Sequence, residues 1–223
     1  MGFAHRGFHG GTIPENSLAS FEAAIAAGAG VECDVRLSGD GTAMVVHDSD
    51  LRRLCDVALT VEQTPAALLA GQRLIDTSEY LPSLEQLLER VGDRVPALIE
   101  LKICNNNAAR LTREVAADLA PHYGRFGVMS FDPRVGRWLK GNAPDVRRGL
   151  VVRDSLSPLK RWIAMTIGSP QFLSVEVAAL GKPWVARARQ RMPVYSWTVA
   201  TADQRRFAGD YVDALIWEAD GRP

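Results

Sequence analysis

The feature that most restricts how this chain can fold is an alternation, sustained from end to end, of short apolar strand-like runs and amphipathic helical segments. The runs are Phe3 to His5, Val31 to Leu37 with Ala43 to His47 close behind, Ala97 to Ile103, Gly127 to Phe131, Gly149 to Val152, Phe172 to Val177, Val194 to Val199 and Ala214 to Trp217. Between them, apolar residues recur at helical spacing over 17–27, 83–91, 108–122, 133–140, 158–167, 183–191 and 202–207. That order predicts a parallel α/β fold, because parallel neighbours need a crossover, usually a helix. About eight such units in 223 residues fit a (β/α)8 TIM barrel, which usually takes roughly 200 to 250 residues. A doubly wound open sheet is the competing topology, but no G-x-G-x-x-G follows the first strand and no Walker sequence occurs.

Two regions break the alternation. Residues 48–81 are too long for an ordinary connection and read as an insertion over the barrel mouth, within one domain spanning 1–223. The chain stops six residues beyond Trp217, so the eighth outer helix is expected to be missing or truncated. That leaves an edge for a second copy of the chain, and a homo-oligomer is one expectation.

With 26 basic against 26 acidic residues there is no net field to attract nucleic acid or anionic lipid, so an anionic ligand must be caught by a local site. No apolar run reaches the roughly 18 to 20 residues that span a bilayer. A first strand starting at Gly2 leaves no room for a signal peptide, and the expected compartment is the cytoplasm. The three cysteines, Cys33, Cys55 and Cys104, have no C-x-x-C spacing and suggest free thiols.

Charge on the strands carries the chemistry. In ALIELKI (97–103), alternation puts Ile99, Leu101 and Ile103 on one face and Leu98, Glu100 and Lys102 on the other. If the apolar face meets the helices, a carboxylate and an ammonium point into the barrel and need partners, a metal or solvent. A structural ion pair between them is the plainer reading. VECDVRL (31–37) likewise places Glu32, Asp34 and Arg36 opposite Val31, Cys33, Val35 and Leu37. Two inward carboxylates repel unless a cation sits between them, and oxygen donors favour Mg²⁺ or Ca²⁺ over zinc. His5 and His47 both fall where a barrel strand is expected to become its top loop, the face that carries active sites in this architecture. Two imidazoles, a carboxylate metal site and the cations Arg6 and Lys102 suit phosphoryl chemistry. The cations hold phosphate, one histidine takes a proton and the other returns one.

The same residues resemble the glycerophosphodiester phosphodiesterase family. Its ordered motifs appear as AHRG (4–7), PENS (14–17), ECDV (32–35), DG (40–41), HD (47–48), ELK (100–102), SFD (130–132) and WTV (197–199). The resemblance implies a TIM-barrel hydrolase that uses a divalent cation to cleave a small glycerophosphodiester to glycerol 3-phosphate and an alcohol. It implies metal ligation by Glu32, Asp34 and Glu100, acid–base roles for His5 and His47, and phosphate contacts from Arg6 and Lys102. It also implies that Trp197 lies near the glycerol, that 48–81 forms part of the pocket wall, and that a substrate hydroxyl or water attacks phosphorus. Glu176, inward on its strand, is a candidate either for contacting the leaving alcohol or for pairing with Lys102. Departures from the pattern are the extra His9 in FHGGTI and the closing WEADGRP, where the family usually has Thr-Asp and a proline. A lysophospholipid- or sphingolipid-cleaving barrel, and a barrel retained only for binding, are the alternatives.

Overall fold

A computed structural model describes residues 2–223. Among the described residues nine strands form one sheet: β1 (Phe3–Ala4), β2 (Gly30–Leu37), β3 (Ala43–Val45), β4 (Ala97–Leu101), β5 (Phe126–Ser130), β6 (Arg147–Val152), β7 (Phe172–Glu176), β8 (Val194–Val199) and β9 (Ala214–Trp217). All except β3 run parallel, in the order β1-β2-β4-β5-β6-β7-β8-β9. Pairing of Phe3 with both Gly30 and Ile216 closes the ring.

Alternation along these strands creates two apolar layers. Val31, Cys33, Val35, Ile99, Leu101, Val128 and Val175 face outward against helix residues such as Phe21, Leu87 and Leu111. Phe3, Leu98, Met129, Val151, Phe172 and Ile216 fill the barrel interior. Below them, a cavity of about 600 Å³ lined by Phe3, Leu98, Phe172 and Tyr195 opens at the N-terminal end of the barrel.

Outer helices follow the barrel strands: α1 (Leu18–Ala26), α4 (Leu84–Val91), α5 (Ala108–Leu119), α6 (Pro133–Asn142), α7 (Pro158–Gly168), α8 (Pro183–Arg189) and α9 (Ala202–Gly209). Their starts are written in the sequence. Ser17 with Ser20, Ser83 with Gln86 and Thr201 with Gln204 make reciprocal capping boxes. Asp132 and Ser157 cap helices whose first residue is proline. After β9 there is only a 3-10 turn, Ala219–Gly221, packed on α9. Gly221 is required there, since a Cβ would lie 1.8 Å from the carbonyl oxygen of Val199.

One strand differs from expectation. Ala43–Val45 pairs antiparallel with β2, Val35 opposite Val45, and is not a barrel strand. The connection through Asp40 and Gly41 is a tight turn with Gly41 at φ +107°, too short for a crossover. Residues 48–81 then fold over this hairpin. They include α2 (Arg52–Cys55) and α3 (Ala66–Ala70), and their own cluster joins Met44 and Val46 to Leu51, Leu54, Val61, Leu69, Leu74 and Leu81. Among the described residues no helix is long and apolar enough to cross a membrane.

Candidate active site

Neighbouring strands β2 and β4 bring three carboxylates together. Glu32, Asp34 and Glu100 each offer an oxygen within 4.8 Å of the others, and none is more than 7% exposed. Register explains the meeting, because Asp34 lies directly across from Glu100 in the parallel pair. Burial and the neighbouring Asp34 push the Glu32 carboxyl up to about 7. Glu100 is pushed up by burial as well. Asp34 is driven the other way, because Lys102 and Arg6 outweigh its burial.

Lys102 follows β4 directly and supplies the missing charge. Its Nζ sits 2.8 Å from Asp34 Oδ1 and also contacts Glu100. The plain ion pair read from ELK is therefore present, but it is shared with Asp34. Lys102 does not pair with Glu176. An all-oxygen set of three buried, mutually repelling carboxylates, whose charge one ammonium and one guanidinium only partly offset, fits a hard divalent cation.

The loop after β1 wraps this cluster. Arg6 takes a left-handed φ of +55° and Gly7 follows at +79°, turning the chain sharply so that the Arg6 backbone N–H donates to Glu32 Oε2 at 3.0 Å. A Cβ on Gly7 would sit 2.2 Å from Ser20 Oγ, so only glycine allows α1 this close. The Arg6 guanidinium reaches Glu15 at 2.9 Å and Asp34 at 3.1 Å. Asn16, itself at φ +53° and buried, donates from Nδ2 to Asp34 Oδ2 at 3.1 Å and accepts from the Asp34 N–H at 3.3 Å.

Both histidines are held through Nδ1, leaving Nε2 as the nitrogen available for proton transfer. His5 Nδ1 is 2.7 Å from Glu218 Oε2. Burial opposes protonation of His5, but Glu218, Glu32 and Asp34 together raise its pKa. His47 Nδ1 is 2.8 Å from Asp48 Oδ1, and burial lowers its pKa. His47 does not sit atop a barrel strand as expected. It comes back toward the mouth on the antiparallel β3, next to Val46, whose N–H donates to the Asp34 carbonyl. Arg53 of the insertion ties Asp48 to Glu15, so residues 48–81 brace the His47 side of the site.

Glu176 and Trp197 lie elsewhere on the rim. Glu176 Oε2 accepts from the Asp154 N–H at 2.7 Å, and the Trp197 indole N–H donates to the Ser174 carbonyl at 3.1 Å. Trp197 stacks edge-on against Phe131 with centroids 5.4 Å apart, and Arg153 covers Phe131 at 4.6 Å. Beside them a cavity of about 590 Å³ is lined by Arg36, Lys102, Phe131 and Arg134. Residues that sequence reasoning did not place in the site are Glu15, Asn16, Arg53 and Glu218. PENS held the first two in plain view, while Glu218 stood out only as a departure.

Comparison with known proteins agrees with this architecture. The profile of the glycerophosphoryl diester phosphodiesterase family matches residues 5–218. A glycerophosphodiester phosphodiesterase of Bacillus altitudinis is 37% identical over 111 residues, covering 47% of this chain and 45% of that protein. The aligned segment thus spans less than half the length of that relative. A putative glycerophosphodiester phosphodiesterase of Bacillus subtilis is 26% identical over 239 residues, covering 96% of this chain and 95% of that protein. In fold, the chain superposes on an Oleispira antarctica phosphodiesterase solved with the product sn-glycerol-3-phosphate, with a TM-score of 0.86 at 24% identity, over 96% of this chain and 91% of that one. The profile match runs through His5, the three carboxylates and His47 to Glu218, and the chain belongs to the glycerophosphoryl diester phosphodiesterase family.

Proposed function

We propose that this protein hydrolyses a glycerophosphodiester to sn-glycerol 3-phosphate and an alcohol. The observation that carries the reading is the buried Glu32–Asp34–Glu100 cluster, with Lys102 and Arg6 on its carboxylates and two carboxylate-anchored histidines at the same mouth. Family membership and the product-bound Oleispira antarctica neighbour support the substrate class.

Glu32, Asp34 and Glu100 would hold a divalent cation, Mg²⁺ or Ca²⁺, which would supply positive charge to the phosphoryl group. Arg6 and Lys102 orient the phosphate as charge-assisted donors. His5 and His47 use Nε2, one removing the proton of the attacking hydroxyl or water and the other protonating the departing alkoxide oxygen. Glu218 and Asp48 fix the ring orientations that make this exchange possible. Trp197 and Phe131 wall the glycerol side, and the Glu176 carboxylate faces the leaving alcohol with the oxygen that Asp154 does not use.

The test is release of glycerol 3-phosphate from glycerophosphocholine, glycerophosphoethanolamine and glycerophosphoglycerol with Mg²⁺ or Ca²⁺. Turnover of at least one is expected, together with a rise in melting temperature on adding the ion that Glu32→Ala abolishes. No release from any of the three with either ion sinks the assignment.

A further inference from the structure

We infer that His5, His9 and Glu218 form a second metal site, selective for a zinc-like ion, which removes His5 from acid–base chemistry when filled. The consequence for activity rests on the proposed function, whereas the binding does not.

The three side chains come from opposite ends of the chain. His5 follows β1 directly, His9 lies four residues on, and Glu218 follows β9, so pairing of β1 with β9 brings them together. One donor atom from each lies within 4.8 Å of the others. Glu218 Oε2 is shared, 2.7 Å from His5 Nδ1 and 3.9 Å from His9 Nε2. His9 Nε2 is buried without a hydrogen-bond partner, an unusual fate for an imidazole nitrogen facing a carboxylate.

The loop that carries His9 is built to hold it there. Phe8 packs edge-on against Trp217 with centroids 5.5 Å apart, and Arg222 covers its other side at 4.6 Å. The Phe8 N–H donates to the Ser20 carbonyl at 2.8 Å, and Gly10 pairs with Ile13 to close the loop. His9 is therefore pinned opposite the residue after Trp217.

Tetrahedral coordination with bonds near 2.0 to 2.1 Å needs donors about 3.3 Å apart. The His5–Glu218 separation must open and the His9–Glu218 separation must close, each by about 0.6 Å, which side-chain rotation provides. Two imidazoles and one carboxylate are a borderline-soft set that suits Zn²⁺, while Mg²⁺ and Ca²⁺ prefer the all-oxygen cluster of Glu32, Asp34 and Glu100. The two sites therefore sort ions by hardness. On binding, the ion replaces the proton at His5 Nδ1: in the neutral ring that proton passes through water to Nε2, and in the imidazolium it leaves to water while Nε2 keeps its own. Either way the ring ends neutral, bound through Nδ1 and protonated on Nε2, where it can neither accept a proton nor readily give one up.

The experiment uses full-length protein with saturating Mg²⁺, to which Zn²⁺ is added, and Co²⁺ as an optical probe. Wild type is expected to lose turnover as Zn²⁺ rises and to develop the visible absorption of Co²⁺ in a nitrogen-containing four-coordinate site. His9→Ala and His9→Gln, checked for unchanged melting temperature, should keep the Mg²⁺-supported rate. They should need at least tenfold more Zn²⁺ for half-inhibition and lose the Co²⁺ absorption. Equal Zn²⁺ sensitivity in wild type and both His9 variants overturns the proposal and assigns inhibition to the carboxylate cluster. Absence of a His9-dependent Co²⁺ signal overturns it too. A His9-dependent signal in a protein that releases no glycerol 3-phosphate supports the site and sinks the proposed activity alone.

Discussion

Asn16 and Asp34 clasp each other twice, side-chain amide to carboxylate at 3.1 Å and backbone N–H to side-chain carbonyl at 3.3 Å. The clasp fixes the rotamer of the central carboxylate before any cation arrives. Second-layer partners of this kind are typically worth about 10- to 100-fold in metal affinity. Asn16→Ala is therefore expected to weaken Mg²⁺ or Ca²⁺ binding by that factor, measured by calorimetric titration. Unchanged affinity would show that Arg6 and Lys102 orient Asp34 unaided.

Lys102 neutralises carboxylates that would otherwise face one another across about the width of an ion. Removing one partner from a buried charge cluster costs about 3 to 5 kcal/mol. Lys102→Met should lower metal-free stability by an amount of that order in urea melts, and the gain in melting temperature on adding divalent cation should exceed that of wild type. A variant as stable as wild type without metal would contradict this account.

His5→Ala and His47→Ala should each reduce kcat by roughly two to four orders of magnitude. The melting temperature should move little for the more exposed His47, whereas loss of His5 also removes its hydrogen bond to Glu218, so His5→Gln serves as the control for folding. A near-normal rate in either variant removes that residue from proton transfer.

Asp118, half-buried on α5 and near Glu85 and Glu114, is pushed up to about 6 by burial first and then by those two charges. Between pH of about 4 and about 6 the folded chain holds a proton that the unfolded chain releases, so stability falls as pH rises through that window. Asp118→Asn removes the loss. It should stabilise the protein at pH 7 by about 1 kcal/mol, solvent screening having reduced the effect at this half-exposed position, and should match wild type at pH 4. Equal melting temperatures at pH 7 would refute the assignment.

Much of the barrel could be read from residue order because the physics behind it is local. Period-two alternation put Glu32, Asp34, Glu100 and Lys102 on one face, and the structure keeps them there. Ser, Thr and Pro at helix starts marked boundaries to within a few residues. What escaped depended on contacts that no short window contains. The direction of β3 is set by a four-residue turn, whereas its apolar run reads the same in either direction. Glu176 was assigned the correct face, but its hydrogen bond goes to a backbone N–H on the neighbouring loop, and alternation specifies faces without specifying atoms. Glu218 lies 213 positions from the ring it binds, so only closure of the barrel reveals the pair.

That separation also bears on the order of events during folding. Contacts between residues so distant carry the largest loop-closure cost and form late unless intervening structure first draws their ends together. The His5–Glu218 hydrogen bond appears only once β9 has docked against β1. A partly assembled barrel can gather the three carboxylates through β2 and β4, yet its first histidine still swings without an anchor. In the proposed reaction, the orientation of His5 therefore depends on closure of the ring by its last strand.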